Sequence, residues 1–121
     1  MPIGKGPVAI YRQIIEYFYY EIGSGRIKSG DRIDSIRNLA LQFKVNPNTV
    51  QKALNELERE SLVVTDRTNG KFVTSDESRI RELRKTLSHE VTRGFVVRMK
   101  DLGIEVTDVT SYITEIWEDK E

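Results

Sequence analysis

Apolar side chains recur at helical spacing through the first part of the chain: Ile10, Ile14, Phe18 and Ile22 form one line, with Tyr11, Ile15 and Tyr19 one position further on. A stripe that broad predicts a first helix from Ala9 to Ile22 with one buried face. Gly23-Ser24-Gly25 stops it, and IKSGDRI reads as a turn leading into a short extended stretch. A second helix is predicted from Ser35, which can cap it, through Leu39, Ala40 and Phe43. Only Lys44 and Val45 separate it from a third helix, where Asn46 caps and Pro47 occupies the first helical position, at which a missing N–H is harmless. That third helix buries Val50, Ala53, Leu54 and Leu57, and turns Asn48, Thr49, Gln51, Lys52 and Asn55 to other faces.

After residue 61 the period changes from helix to strand. Leu62-Val63-Val64-Thr65 and Lys71-Phe72-Val73-Thr74 are β-favouring runs on either side of DRTNG. Asn69-Gly70 predicts a type I′ hairpin turn, in which both central residues take positive φ, with Arg67 and Lys71 near the tip. From residue 76 onward Ile80, Leu83, Leu87, Val91, Phe95, Met99 and Leu102 step by three or four, and Gly103 ends the run. Thr107 then caps a last helix carrying Val109, Tyr112, Ile113, Ile116 and Trp117. Two helices alone cannot seal so much apolar surface, so they pack on the first helix or on a second copy. Leu87, Val91, Phe95, Tyr112, Ile113, Ile116 and Trp117 are the expected dimerisation residues. Gly94, inside the long helix, suits a close crossing or a bend, the alternative being an inert glycine that costs the helix ~1 kcal/mol.

A chain of 121 residues suits one core with a small appendage. Its 19 basic and 19 acidic residues balance, yet residues 26 to 75 carry a surplus of +3 and residues 76 to 121 a deficit of −3. The basic front favours a polyanionic partner there, the alternative being a solvated surface of mixed charges. With no cysteine, disulfides and thiolate zinc sites are excluded. The N-terminal MPIGKGPVAIYRQ has no apolar run of the kind that directs export, and no stretch approaches the ~18 apolar residues of a membrane span. A soluble, cytoplasmic protein without membrane contact is expected.

Helix, helix, tight turn, helix and two-stranded wing is the order of a winged helix-turn-helix, which presents its third helix to the major groove of DNA. Asn and Gln offer a donor and an acceptor to adenine, and Thr and Lys reach phosphates or guanine. The fold expected is therefore mainly α with a small β-hairpin wing (α+β), the winged helix-turn-helix in residues 1–75 and a helical dimerisation region in residues 76–121.

The run IYRQIIEYFYYEIGSGRIKSGDRIDSIRNLALQFKVNPNTVQKALNELERESLVV, closed by GKFV, resembles the DNA-binding domain of the GntR family of bacterial transcription regulators over residues 10 to 73. The short two-helix tail resembles the YtrA-type branch, whose members are small homodimers without a large effector domain. This resemblance implies that Arg37 contacts DNA and that Ser35 caps its helix and can reach a phosphate. It places the start of the recognition helix at Asn46, Pro47, Asn48 and Thr49, with Gln51 and Lys52 one turn in, and the wing glycine at Gly70. Three departures stand out: Asp34 where the family usually has Pro, Ser61 in place of the usual Gly after the recognition helix, and RTNGKF in place of a more basic wing.

The function implied is sequence-specific regulation, repression being its simplest form, by a homodimer on an inverted-repeat operator in double-stranded DNA. Arg37, Lys52, Arg67 and Lys71 would anchor the backbone or the wing's groove, while Asn48, Thr49 and Gln51 choose bases. No cofactor, metal or catalytic residue is expected. His89 is the sole histidine, its neighbours Ser88 and Glu90 point away from it on a helix, and neither a P-loop nor GxGxxG occurs. The alternative from another class is an adaptor, since winged helices can bind proteins instead of DNA. A small-molecule effector stays open: two tail helices leave little room for a pocket of ~300 Å³ or more, which points to the dimer seam or the space between tail and winged domain.

Overall fold

A computed structural model describes residues 6–119, so residues 1–5, at the start of the expected DNA-binding domain and of the N-terminal stretch considered above, lie outside it, as do residues 120 and 121. The described elements are α1 (Pro7–Ser24), α2 (Ile36–Phe43), α3 (Pro47–Arg59), β1 (Val63–Asp66), β2 (Gly70–Val73), α4 (Glu77–Asp101) and α5 (Val106–Trp117). They fall into two compact units, divided after Lys85 within α4.

The first unit is built on the apolar faces that the sequence pattern picks out. Phe18 and Ile22 of α1, Val50, Ala53, Leu54 and Leu57 of α3, and Leu62, Val63 and Val73 of the hairpin are fully buried. Tyr19 and Tyr11 on α1 reach Glu60 and Glu56 at the C-terminal end of α3, at 2.6 and 3.4 Å. The first turns of α4 belong to this unit: Ile80 and Leu83 are buried, Arg79 Nε donates to the Glu60 carbonyl at 2.9 Å and Arg84 Nε to the Gly23 carbonyl at 2.9 Å. Asp76 starts that helix by accepting from the Ser78 hydroxyl and from the Ser78 and Arg79 N–H groups.

The caps of α2 and α3 form as their sequences dictate. Ser35 Oγ accepts from the Asn38 N–H at 3.0 Å, and Asn46 Oδ1 from the Asn48 N–H at 2.8 Å with Pro47 following. Between the helices Lys44 takes the left-handed conformation at φ 59°, and Val45 N–H returns to the Ala40 carbonyl, so two residues suffice for the turn.

The hairpin departs from expectation at its tip. β1 and β2 pair antiparallel with Asp66 opposite Gly70, which leaves Arg67, Thr68 and Asn69 as a three-residue loop. Among the described non-glycine residues only Lys44 and Ser61 have positive φ, so Asn69 does not adopt the type I′ geometry. The cause is Asp66, whose carboxylate accepts from the Thr68 N–H at 2.9 Å, the Asn69 N–H at 3.3 Å and the Asn69 side chain at 3.1 Å. This side-chain turn fixes the loop before Asn69 can, and Gly70 alone supplies positive φ, at 107°. The extended stretch before α2 joins the hairpin through an isolated antiparallel bridge of Arg32 with Phe72: Ile33 N–H donates to the Lys71 carbonyl and Val73 N–H to the Asp31 carbonyl, both at 2.8 Å.

The second unit holds the rest of α4 and α5. Gly103, at φ 72°, follows α4 as expected. The last helix begins earlier than its sequence suggests: Glu105 holds the cap position without a side-chain cap bond, and Thr107 lies inside the first turn. Glu105 already closes the turn through its own carbonyl, which accepts from Val109 N–H at 3.0 Å, leaving Thr107 no capping role.

Candidate nucleic-acid interface

The opening turns of α3 carry the candidate reading face. Val50, Ala53, Leu54 and Leu57 anchor the helix on one side, and Asn46, Pro47, Asn48 and Lys52 are exposed on the other, with Thr49 and Gln51 half-buried between them. Pro47 has no N–H, and the Asn48 N–H is taken by the Asn46 cap, so side-chain donors dominate this end. Asn46 spends its carbonyl oxygen on the cap and keeps its amide N–H groups. Gln51 Nε2 donates to Asn55 Oδ1 at 2.8 Å, one turn along, which holds the Gln51 amide in a fixed plane. The Lys52 ammonium stands 4.8 Å from the centre of the Tyr11 ring, a cation–π contact that restrains it beside α1.

At the N-terminus of α2, Arg37 is exposed and forms no ion pair among the described residues. Asp34, in place of proline, organises this turn: its Oδ1 accepts from the Ser35 N–H at 2.8 Å and from the Asn38 side chain at 3.0 Å. A carboxylate there is favoured by the positive end of the helix. Ser35 accepts the cap bond through its oxygen, which leaves its hydroxyl proton free to donate.

In the wing Arg67 is exposed at the loop, whereas the Lys71 ammonium is drawn back into the domain. It donates to Thr65 Oγ1 at 2.8 Å, lies 3.7 Å from Glu58 of α3 and is only 17% exposed. Arg32, inside IKSGDRI, has no role assigned from the sequence, and the structure brings it beside the wing. A Cβ placed on Gly70 would sit 3.4 Å from its Nε and Nη2, so the guanidinium rests directly on the wing glycine. Gly70 is required for its positive φ, whereas a Cβ there would meet the flexible guanidinium only at ordinary van der Waals distance. The link depends on the pairing of residues 31 to 33 with β2, which no local pattern announces. At the tip, the Asp66 carboxyl is held below its ordinary range, chiefly by the Thr68 N–H and then by the Asn69 side chain and N–H.

The expected dimerisation residues all lie in the second unit. Leu87 and Phe95 are half-buried, while Val91, Tyr112, Ile113, Ile116 and Trp117 are exposed, Trp117 at 84%. Among the described residues no His, Asp and Glu cluster could hold a metal, and no helix is long and apolar enough to cross a membrane.

A family model described as "Bacterial regulatory proteins, gntR family" matches residues 10–73, which include the cap, the α3 face and the wing. The chain belongs to the GntR family. It is 40% identical over 95 residues to the HTH-type transcriptional regulator YhcF of Bacillus subtilis, covering 78% of each chain. To the HTH-type transcriptional repressor YtrA of the same organism it is 33% identical over 113 residues, covering 93% of this chain and 87% of YtrA. Among solved structures, a GntR family transcriptional regulator from Listeria monocytogenes is similar over 95% of this chain and 98% of its own, with a TM-score of 0.83 and 34% identity. The DNA-binding domain of AraR in complex with operator ORX1 is similar over 53% of this chain and 77% of its own, with a TM-score of 0.51 and 30% identity. The protein is therefore a GntR-family, winged-helix, DNA-binding transcriptional regulator of the YtrA-type branch, and its relatives are regulators rather than enzymes.

Proposed function

We propose that this GntR regulator represses transcription by binding an inverted-repeat operator as a homodimer, with residues 1–75 reading DNA and residues 76–121 joining the two copies. The reading rests on the first two turns of α3, where Val50, Ala53 and Leu54 fix the helix and an amide and hydroxyl face is left outward. Asn48, Thr49 and Gln51 select bases. Arg37, Lys52 and Arg67 hold the backbone, Ser35 and Asn46 donate to phosphates, and Arg32 lies with Gly70 and Lys71 along the wing. The exposed apolar residues of α5 supply the contact between copies. The repressor YtrA and the operator-bound AraR domain support the assignment by similarity. An effector would act by binding one arrangement of the two reading heads better than another.

Selection of random duplex DNA by the full chain at moderate salt, followed by sequencing of the bound pool, tests this. The expected outcome is an inverted repeat with half-sites about one helical turn apart, ~34 Å. A pool without enrichment, or a single unpaired half-site, would overturn it.

A further inference from the structure

The winged unit holds a groove of about 610 Å³ that the reading of DNA does not use. Ile10, Ile14, Tyr17 and Tyr20 follow one another along α1 at steps of three and four, and Phe43, the last residue of α2, closes the opposite wall. Its volume lies within the ~300 to 1,000 Å³ typical of small-molecule sites. The Tyr17 ring is fixed by edge contacts with Phe43, centroids 5.1 Å apart, and with Phe18 at 5.2 Å. Tyr20 is 47% exposed and offers its ring to the groove.

Glu16 is the one charged residue that lines the groove, and it has no hydrogen-bond or ion-pair partner among the described residues. Aromatic rings attract cations through their negative faces, and a carboxylate beside apolar walls adds a full opposite charge. From this geometry we infer that the groove binds an organic cation with an apolar body, of the substituted ammonium class.

The competing occupant is the apolar face of α5 from a second copy. That helix is bordered by Glu105, Asp108, Glu115, Glu118 and Asp119, so seating it here would bring like charges to Glu16. Charge complementarity favours the small cation over that helix. The inference goes beyond operator binding and is independent of it, because occupancy is read on the free protein.

The test titrates benzyl(2-hydroxyethyl)dimethylammonium, and its neutral analogue with carbon in place of nitrogen, into the full chain by NMR. Saturable shifts at Tyr17, Tyr20 and Phe43 are expected, with the neutral analogue binding about three- to tenfold more weakly. Glu16→Gln should weaken the cation severalfold while leaving the neutral analogue unchanged, and Tyr20→Leu should weaken the cation severalfold more than the neutral analogue; both residues are exposed, so neither variant threatens the fold. Equal affinity for the two probes, unchanged affinity in both variants, or shifts confined to α5 would overturn the inference. So would an absence of binding to the native protein, the result expected if a second copy covers the groove.

Discussion

The Tyr19 hydroxyl donates a 2.6 Å hydrogen bond to Glu60 Oε1, and the carbonyl of the same Glu60 accepts from Arg79 Nε at 2.9 Å. One residue at the end of α3 thus joins α1 and the start of α4. A hydrogen bond to a carboxylate contributes ~1.5 to 3 kcal/mol when shielded, and both partners here are half-exposed, so Tyr19→Phe is expected to destabilise the first unit by ~1 to 2 kcal/mol. Burial, and next the bond to Glu60, push the Tyr19 phenol above its ordinary value. Because the folded phenol holds its proton longer than the unfolded one, this contribution is complete below pH ~10 and declines as the unfolded phenol ionises above it. Thermal unfolding between pH 8 and 11 should therefore show a steeper alkaline loss in the parent than in Tyr19→Phe; parallel curves would refute the assignment.

Ser61 holds φ 63° directly after α3, a conformation that costs a residue with a Cβ about 1 kcal/mol. Its side chain is exposed and makes no hydrogen bond among the described residues, so little is lost when it is removed. Ser61→Gly should stabilise the protein by ~0.5 to 1 kcal/mol, the gain being reduced by the greater freedom of glycine in the unfolded chain. Denaturant titration reads this directly, and a lower midpoint would show that the strain is absent.

Much of the winged unit is legible in the chain because its signals are local. The Ile10 to Ile22 stripe, the Ser35 and Asn46 caps and Pro47 each act within one or two turns of themselves, and the elements form there. Legibility fails where a competing side chain or a distant segment decides. Asp66 overrides the turn preference of Asn69-Gly70, and the carbonyl of Glu105 closes α5 before Thr107 can. Arg32 joins the wing only through strand pairing across some forty residues, and the groove exists only because Phe43 comes alongside α1.

The wing tip should respond to Asp66 alone. With its carboxyl held below the ordinary value, principally by the Thr68 N–H, the contribution of the turn is present above pH ~4 and is lost as pH falls below it. Asp66→Ala is expected to speed amide exchange at Thr68 and Asn69 at neutral pH, matching the parent in acid, with the melting temperature little changed because the tip is exposed. Unaltered exchange would mean that the strand pairing alone holds the loop.

On operator DNA, Arg37 and Gln51 should fail differently. Arg37→Ala removes a cation, so affinity is expected to fall for all sequences and the slope of log K against log salt to shrink by about one for each half-site. Gln51→Ala removes an amide held in plane by Asn55, so preference should relax at particular base pairs by ~1 to 3 kcal/mol with the salt slope kept. Competition binding at several salt concentrations separates the two; exchanged phenotypes would reverse the roles proposed for them.

The last prediction concerns α5, where Ile116 and Trp117 are 72% and 84% exposed. Large apolar side chains left in water on adjacent positions gain most from a second apolar surface, each contributing ~1.5 to 3 kcal/mol when covered. Ile116→Asp with Trp117→Ser should accordingly convert the protein to monomers in sedimentation velocity. The winged unit has its own core and should keep its near-ultraviolet and NMR signature. Operator affinity should nevertheless drop by at least a hundredfold, because the second half-site is then no longer held at high effective concentration. A variant that stays dimeric would place the contact between copies elsewhere, and a monomer with full affinity would remove dimerisation from operator recognition.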